Sequence, residues 1–166
     1  MAARLYETDY YLWARRQAEA LRQLERERWN GPLDLKELAE EVDDLAKRDR
    51  NACRSQVRRI IVYLLKLDHS PARDLRAGWM ESIYEARDAL RGDLTPTIER
   101  GLRDDFDALY RSAREQVLIT LAEYGEGDSA TALPEDPAYT LDDVLRDGFY
   151  GFKKEQARSS SASAGS

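Results

Sequence analysis

Asp34-Leu35-Lys36-Glu37-Leu38-Ala39-Glu40-Glu41-Val42-Asp43-Asp44-Leu45 opens a stretch whose helical rhythm does not break until Leu67. Asp34 and Glu37 stand three apart, a capping box with Asp in place of Ser or Thr. Leu38, Val42 and Leu45 form one apolar stripe at helical spacing, and Val57, Ile60, Ile61, Leu64 and Leu65 form a denser one. Between them the stripe thins to Asp49, Ala52 and Cys53. Asp68, His69, Ser70 and Pro71 then end the pattern. A helix of about 33 residues is roughly 50 Å long, whereas a compact chain of this size is about 40 Å across. Either the helix kinks near Arg50-Asn51, or another copy of the protein covers its exposed part.

The flanking segments read as further helices. Thr8 or Asp9 caps a first one, with Tyr10, Trp13, Ala14, Gln17, Leu21 and Leu24 on its inner face, and Asn30-Gly31-Pro32 ends it. Another runs from Arg76 to Arg91, with Trp79, Met80, Ile83, Tyr84, Ala86, Arg87 and Leu90 facing inward. Thr95 and Pro96 start a long one that keeps its beat from Ile98 through Phe106, Tyr110 and Val117 to Tyr124. Residues 126–138 read as a loop, and Thr140 caps a short last helix. The fold class is therefore all-α, an antiparallel helical bundle with one long central helix. Residues 1–152 are expected to form a single domain, and residues 153–166, rich in Ser, Ala and Gly, a disordered tail.

Composition narrows the class of function. The 166 residues are 42% apolar and 35% charged, with 32 acidic against 26 basic side chains and a net charge of −6. Such a surface repels phosphate backbones on average, which argues against nucleic-acid binding. The longest apolar run, Ile60 to Leu65, is too short to span a membrane. The N-terminus has no apolar run of a signal peptide, so the cytoplasm is the expected location. A single cysteine, Cys53, rules out an intrachain disulfide and reads as a small buried hydrophobe. His69, the one histidine, sits at a helix end, where it would cap terminal carbonyls.

Two polar clusters remain. Glu37, Glu40, Glu41 and Asp44 recur at steps of three and four, so they share a broad helix face. Carboxylates so grouped could hold Mg²⁺ or Mn²⁺, although no Glu-x-x-His pairing of the di-metal bundles is present. The plainer reading is a solvated acidic first half of a helix, favourable near its positive end. An intermediate one pairs Glu40 or Asp44 with Arg87 across a helix interface. Glu40, Glu41, Asp44 and Arg87 are therefore the candidate polar site; no cofactor is assigned. Downstream on the same helix lie Arg48, Arg50, Arg54, Arg58 and Arg59. Two copies packed antiparallel would set acid against base twice, so a homodimer is expected through this helix. The alternative sends these arginines to acids such as Asp104, Asp105 and Asp107 of the same chain.

Tyr6, Asp9, Trp13, the run Leu38 to Leu45, and Arg58-Arg59-Ile60-Ile61-Val62-Tyr63-Leu64-Leu65-Lys66 follow one another at distinctive spacings. Trp79, Ile83, Arg87 and Pro137-Ala138-Tyr139-Thr140-Leu141 complete a series that resembles the bacterial family known as domain of unknown function 29, over roughly residues 6–150. The resemblance implies an all-helical fold and carries no assigned activity. It also implies a histidine in many members where this chain has Tyr63, so an activity needing that imidazole would be lost here. With no nucleophile–base pair in the sequence, the leading expectation is a non-enzymatic interaction or regulatory module with a protein partner. The alternative is a metal-dependent enzyme built on the carboxylate cluster.

Overall fold

The computed structural model describes residues 2–164. Among these the chain is all-α: α1 (Ala2–Thr8), α2 (Tyr10–Arg26), α3 (Leu35–His69), α4 (Arg76–Asp93), α5 (Pro96–Asp104), α6 (Phe106–Glu123), α7 (Gly127–Thr131), α8 (Leu141–Leu145) and α9 (Phe152–Ser163). Where one domain over 1–152 is expected, the chain clusters into two compact units. Met1–Cys53 with Asp93–Leu102 form unit 1; Arg54–Gly92 with Arg103–Ser166 form unit 2. α3 passes from one to the other at Cys53, where the apolar stripe is thinnest.

In unit 1, Asp9 starts two helices with one carboxylate. Its Oδ1 accepts the Leu12 N–H at 2.9 Å, capping α2. Its Oδ2 accepts the Thr97 N–H at 2.9 Å and the Thr97 hydroxyl at 2.7 Å, in the first turn of α5. Burial pushes the Asp9 carboxyl up, but these bonds and one from Thr95 outweigh it and hold the group below its ordinary value. Tyr6, Tyr10 and Trp13 stack edge and face on one another beside it. The buried residues of α2 are Ala14 and Ala18, and those of α3 up to Ala46 are Leu35, Ala39, Asp43 and Ala46. The line that faces inward is thus not the expected Leu38–Val42–Leu45 stripe. Leu38 and Leu45 are 39% and 42% exposed.

α2 also stops before Asn30-Gly31-Pro32. Arg28 adopts a left-handed φ of 56°. Its N–H bonds to the Glu25 carbonyl, and the Trp29 N–H reaches back to the Leu24 carbonyl. That pair of bonds is a Schellman ending, normally built on glycine. The end of α6 makes the same pair, with Gly125 in the left-handed position.

Unit 2 has a larger apolar core: Val57, Ile60, Ile61, Leu64 and Leu65 of α3, Ile83 of α4, Tyr110, Val117 and Leu121 of α6, and Phe149. The inner face of α4 is close to the expected one, except that Tyr84 is exposed. The helix expected from Thr95 to Tyr124 is broken at Asp105, whose carboxylate pairs with Arg54 and makes no cap bond of its own. Thr140 and Asp143 cap α8 reciprocally, as a capping box requires.

The expected disordered tail is instead α9 to Ser163; residues 165–166 lie outside the described residues. Asp68 explains its start. The carboxylate accepts the Tyr139 hydroxyl at 2.7 Å and the N–H groups of Phe152 and Lys153 at 3.1 and 2.9 Å. Gly151 precedes them at φ 93°, and a Cβ there would lie 2.5 Å from Asp68 Oδ1. Further along, Ser159, Ser160 and Ser161 hydroxyls donate back to carbonyls four residues earlier. Serine so bonded is tolerated in a helix.

Candidate functional site

The acidic run of α3 divides into two faces. Asp43 is buried and accepts from Arg15 at 2.5 Å and Arg22 at 3.3 Å of α2, with Lys47 at 3.4 Å. Burial alone would push its carboxyl up; Arg22, Arg15 and Lys47 outweigh that and hold it below the ordinary value. Asp43 is therefore a clamp between α2 and α3. Glu40, Glu41 and Asp44 are exposed, and Asp44 meets Lys47 at 3.4 Å. Among the described residues no group of three or more His, Cys, Asp or Glu side chains is placed to hold a metal ion. Four acids in helical spacing are not enough, because a cation needs ligands that converge on a point.

Arg87, the fourth candidate, is only 4% exposed. Its Nε donates to the Val144 carbonyl at 2.9 Å and its Nη2 to the Asp143 carbonyl at 3.4 Å. These are carbonyls of α8, the negative end of that helix. The Tyr150 ring lies 5.7 Å from the guanidinium carbon. Burial lowers the pKa of Arg87, partly offset by Tyr150 and Asp147. Its hydrogen bonds thus stay within unit 2 and tie α4 to α8. The partners of Arg87 are backbone carbonyls, not the carboxylate of Glu40 or Asp44 expected for it, and a sequence pattern does not reveal them.

The arginines of α3 divide as well. Arg54 pairs with Asp105, Arg58 donates to Gln116 at 2.7 Å, and Arg59 meets Glu85 at 3.5 Å. The intrachain alternative thus holds for Arg54, through one of the acids named for it. Arg48 and Arg50 are exposed, with no acidic partner among the described residues. Cys53 is buried, and burial, then the Asp93 and Asp49 carboxylates, push its thiol up to about 11. That is the opposite of what a nucleophile needs. Burial likewise lowers His69, against a weaker pull from Asp68, whose carboxylate already serves Tyr139 and α9.

Sequence reasoning missed Asp43 and Asp68. The first carried a signal in its spacing from Leu35, Ala39 and Ala46. The second carried none, since its partners lie 71 to 85 residues away.

The pattern of the family described as Domain of unknown function DUF29 matches residues 5–150. The chain belongs to that family. No curated protein matches this DUF29 chain. A solved structure that is similar to it is an α-helical protein of unknown function from Rhodospirillum rubrum, 28% identical, with a TM-score of 0.73 over 87% of this chain and 90% of that one. The likeness spans nearly the whole of both, so the all-α architecture of the DUF29 chain recurs in an experimental structure. No helix among the described residues is long and apolar enough to cross a membrane.

Proposed function

We propose that this protein is a non-enzymatic interaction module, acting in the bacterial cytoplasm, that pairs with a second copy through the outer face of α3 and holds a protein partner. One observation carries the reading. Leu38 and Leu45 stand 39% and 42% exposed, seven residues apart, on a helix whose other face is buried. Glu41 and Arg48 complete the stripe at the intervening heptad positions, and Ala52 follows at the next turn of seven. Two such helices run antiparallel set Glu41 against Arg48 of the second copy twice over. The two-fold axis then falls beside Leu45, so the two Leu45 side chains cover each other and each Leu38 comes over the Asn51-Ala52 turn of the other copy.

Light scattering with charge-reversed variants tests this. Glu41→Arg alone and Arg48→Glu alone each lower the dimer fraction, because each sets like charges together across the interface. The double variant restores it, since the swap rebuilds both pairs. A monomer mass for the native chain at every micromolar concentration ends the reading. The partner is sought by pulling tagged protein from native lysate and identifying what accompanies it in stoichiometric amounts.

A further inference from the structure

The second half of α3 carries a different surface, independent of any pairing of copies. Gln56, Arg58, Arg59, Tyr63 and Lys66 of α3, with Gln116 of α6, line a cleft of about 260 Å³. No acidic side chain lines it. We infer that this cleft binds the phosphate of a small phosphomonoester.

Charge supports the phosphate. Arg58 is held at 2.7 Å by Gln116, a neutral partner that fixes the guanidinium without neutralising it. Lys66 has no carboxylate partner among the described residues. Its ammonium lies 5.5 Å from the Tyr63 ring centre and 5.9 Å from that of Trp79. Ring faces orient a cation while leaving its donors free. Arg59 meets Glu85 at 3.5 Å, but both side chains are well exposed, and such pairs contribute little. Three cations less one weak pair leave about two positive charges, the complement of a phosphomonoester near neutral pH. Guanidinium forks match the geometry of phosphate oxygens.

The volume suits a molecule of sugar-phosphate size rather than a polymer.

The test uses the full chain and glucose 6-phosphate as probe, followed by thermal melting and by titration of the Gln56 and Gln116 side-chain amide resonances. Glucose 6-phosphate is expected to raise the melting temperature and shift both amides, while glucose and sodium sulfate at matched ionic strength do neither. Lys66→Met and Arg58→Gln, each melting as the native chain does without probe, weaken binding about tenfold or more, the scale of one charge-assisted bond. If either variant fails to fold, Tyr63→Phe with the amide titration still reports the site. An unshifted Gln56 amide at saturating probe overturns the inference. So does equal binding of glucose, a response to inorganic phosphate with none to the ester, or tighter binding of an RNA oligonucleotide to the same residues.

Discussion

Through Ala46, α3 buries Leu35, Ala39, Asp43 and Ala46, whereas from Val57 it buries Val57, Ile60, Ile61, Leu64 and Leu65. Unit 1 buries four alanines of α2 and α3, Ala14, Ala18, Ala39 and Ala46, and has two clamping carboxylates, Asp9 and Asp43, each serving more than one partner. Unit 2 relies more on large aliphatic and aromatic side chains, with Arg87 as a buried charge and the half-buried Asp68 as a clamping carboxylate of its own. One helix thus carries two ways of holding neighbours. Apolar burial scales with area and is insensitive to pH. A clamped carboxylate is directional and fails when it takes up a proton.

The largest effect that sharpens this contrast is a cavity in unit 2. Leu64→Ala lowers stability by about 3 kcal/mol, and urea melts at low and high salt show the same loss. Next comes Asp9→Ala, which removes caps from α2 and α5 together and costs about 2 kcal/mol. A loss no greater than that of one ordinary cap would break the claim of double duty.

The pH response comes third. Asp9 and Asp43 have folded pKa values below the ordinary 3.8. The unfolded chain therefore binds protons first, and the stability from these groups is complete above that value. It is lost as pH falls through the lower folded values. Melting curves of the native chain and Asp43→Asn taken between about pH 6 and pH 2 should converge toward the acid end. A gap that stays constant would mean that Asp43 acts by shape and not by charge. The smallest effect is Arg28→Gly, which relieves the left-handed turn and stabilises by about 0.5 kcal/mol, read as a small rise in melting temperature.

Starts of helices were legible because a cap is local: Asp9, Asp34, Thr95 with Pro96, and Thr140 each announce themselves within four residues. Interruptions were not. The apolar beat from Ile98 through Phe106 to Leu121 passes unchanged across the break at Asp105, since those side chains are buried on either side of it. The inner face of α3 was misread because leucine outranks alanine on any apolar scale, while a close helix pair prefers small residues. In the candidate site, Arg87 was correctly placed on an inner face, but its α8 carbonyl partners carry no side-chain signal. The tail was judged on composition, and the residue that starts α9 lies 84 positions upstream of Phe152.

The burial of Cys53 makes the middle of α3 a place where opening can be timed. With its thiol near 11, only about one molecule in ten thousand carries a thiolate at neutral pH. A sulfhydryl reagent therefore reacts at an appreciable rate only when that turn swings open. The ratio of observed labelling to that of an unstructured cysteine gives the free energy of the opening. Because this is the chain's single sulfhydryl, the signal needs no engineering, and it reports on the turn where small buried side chains give way to large ones.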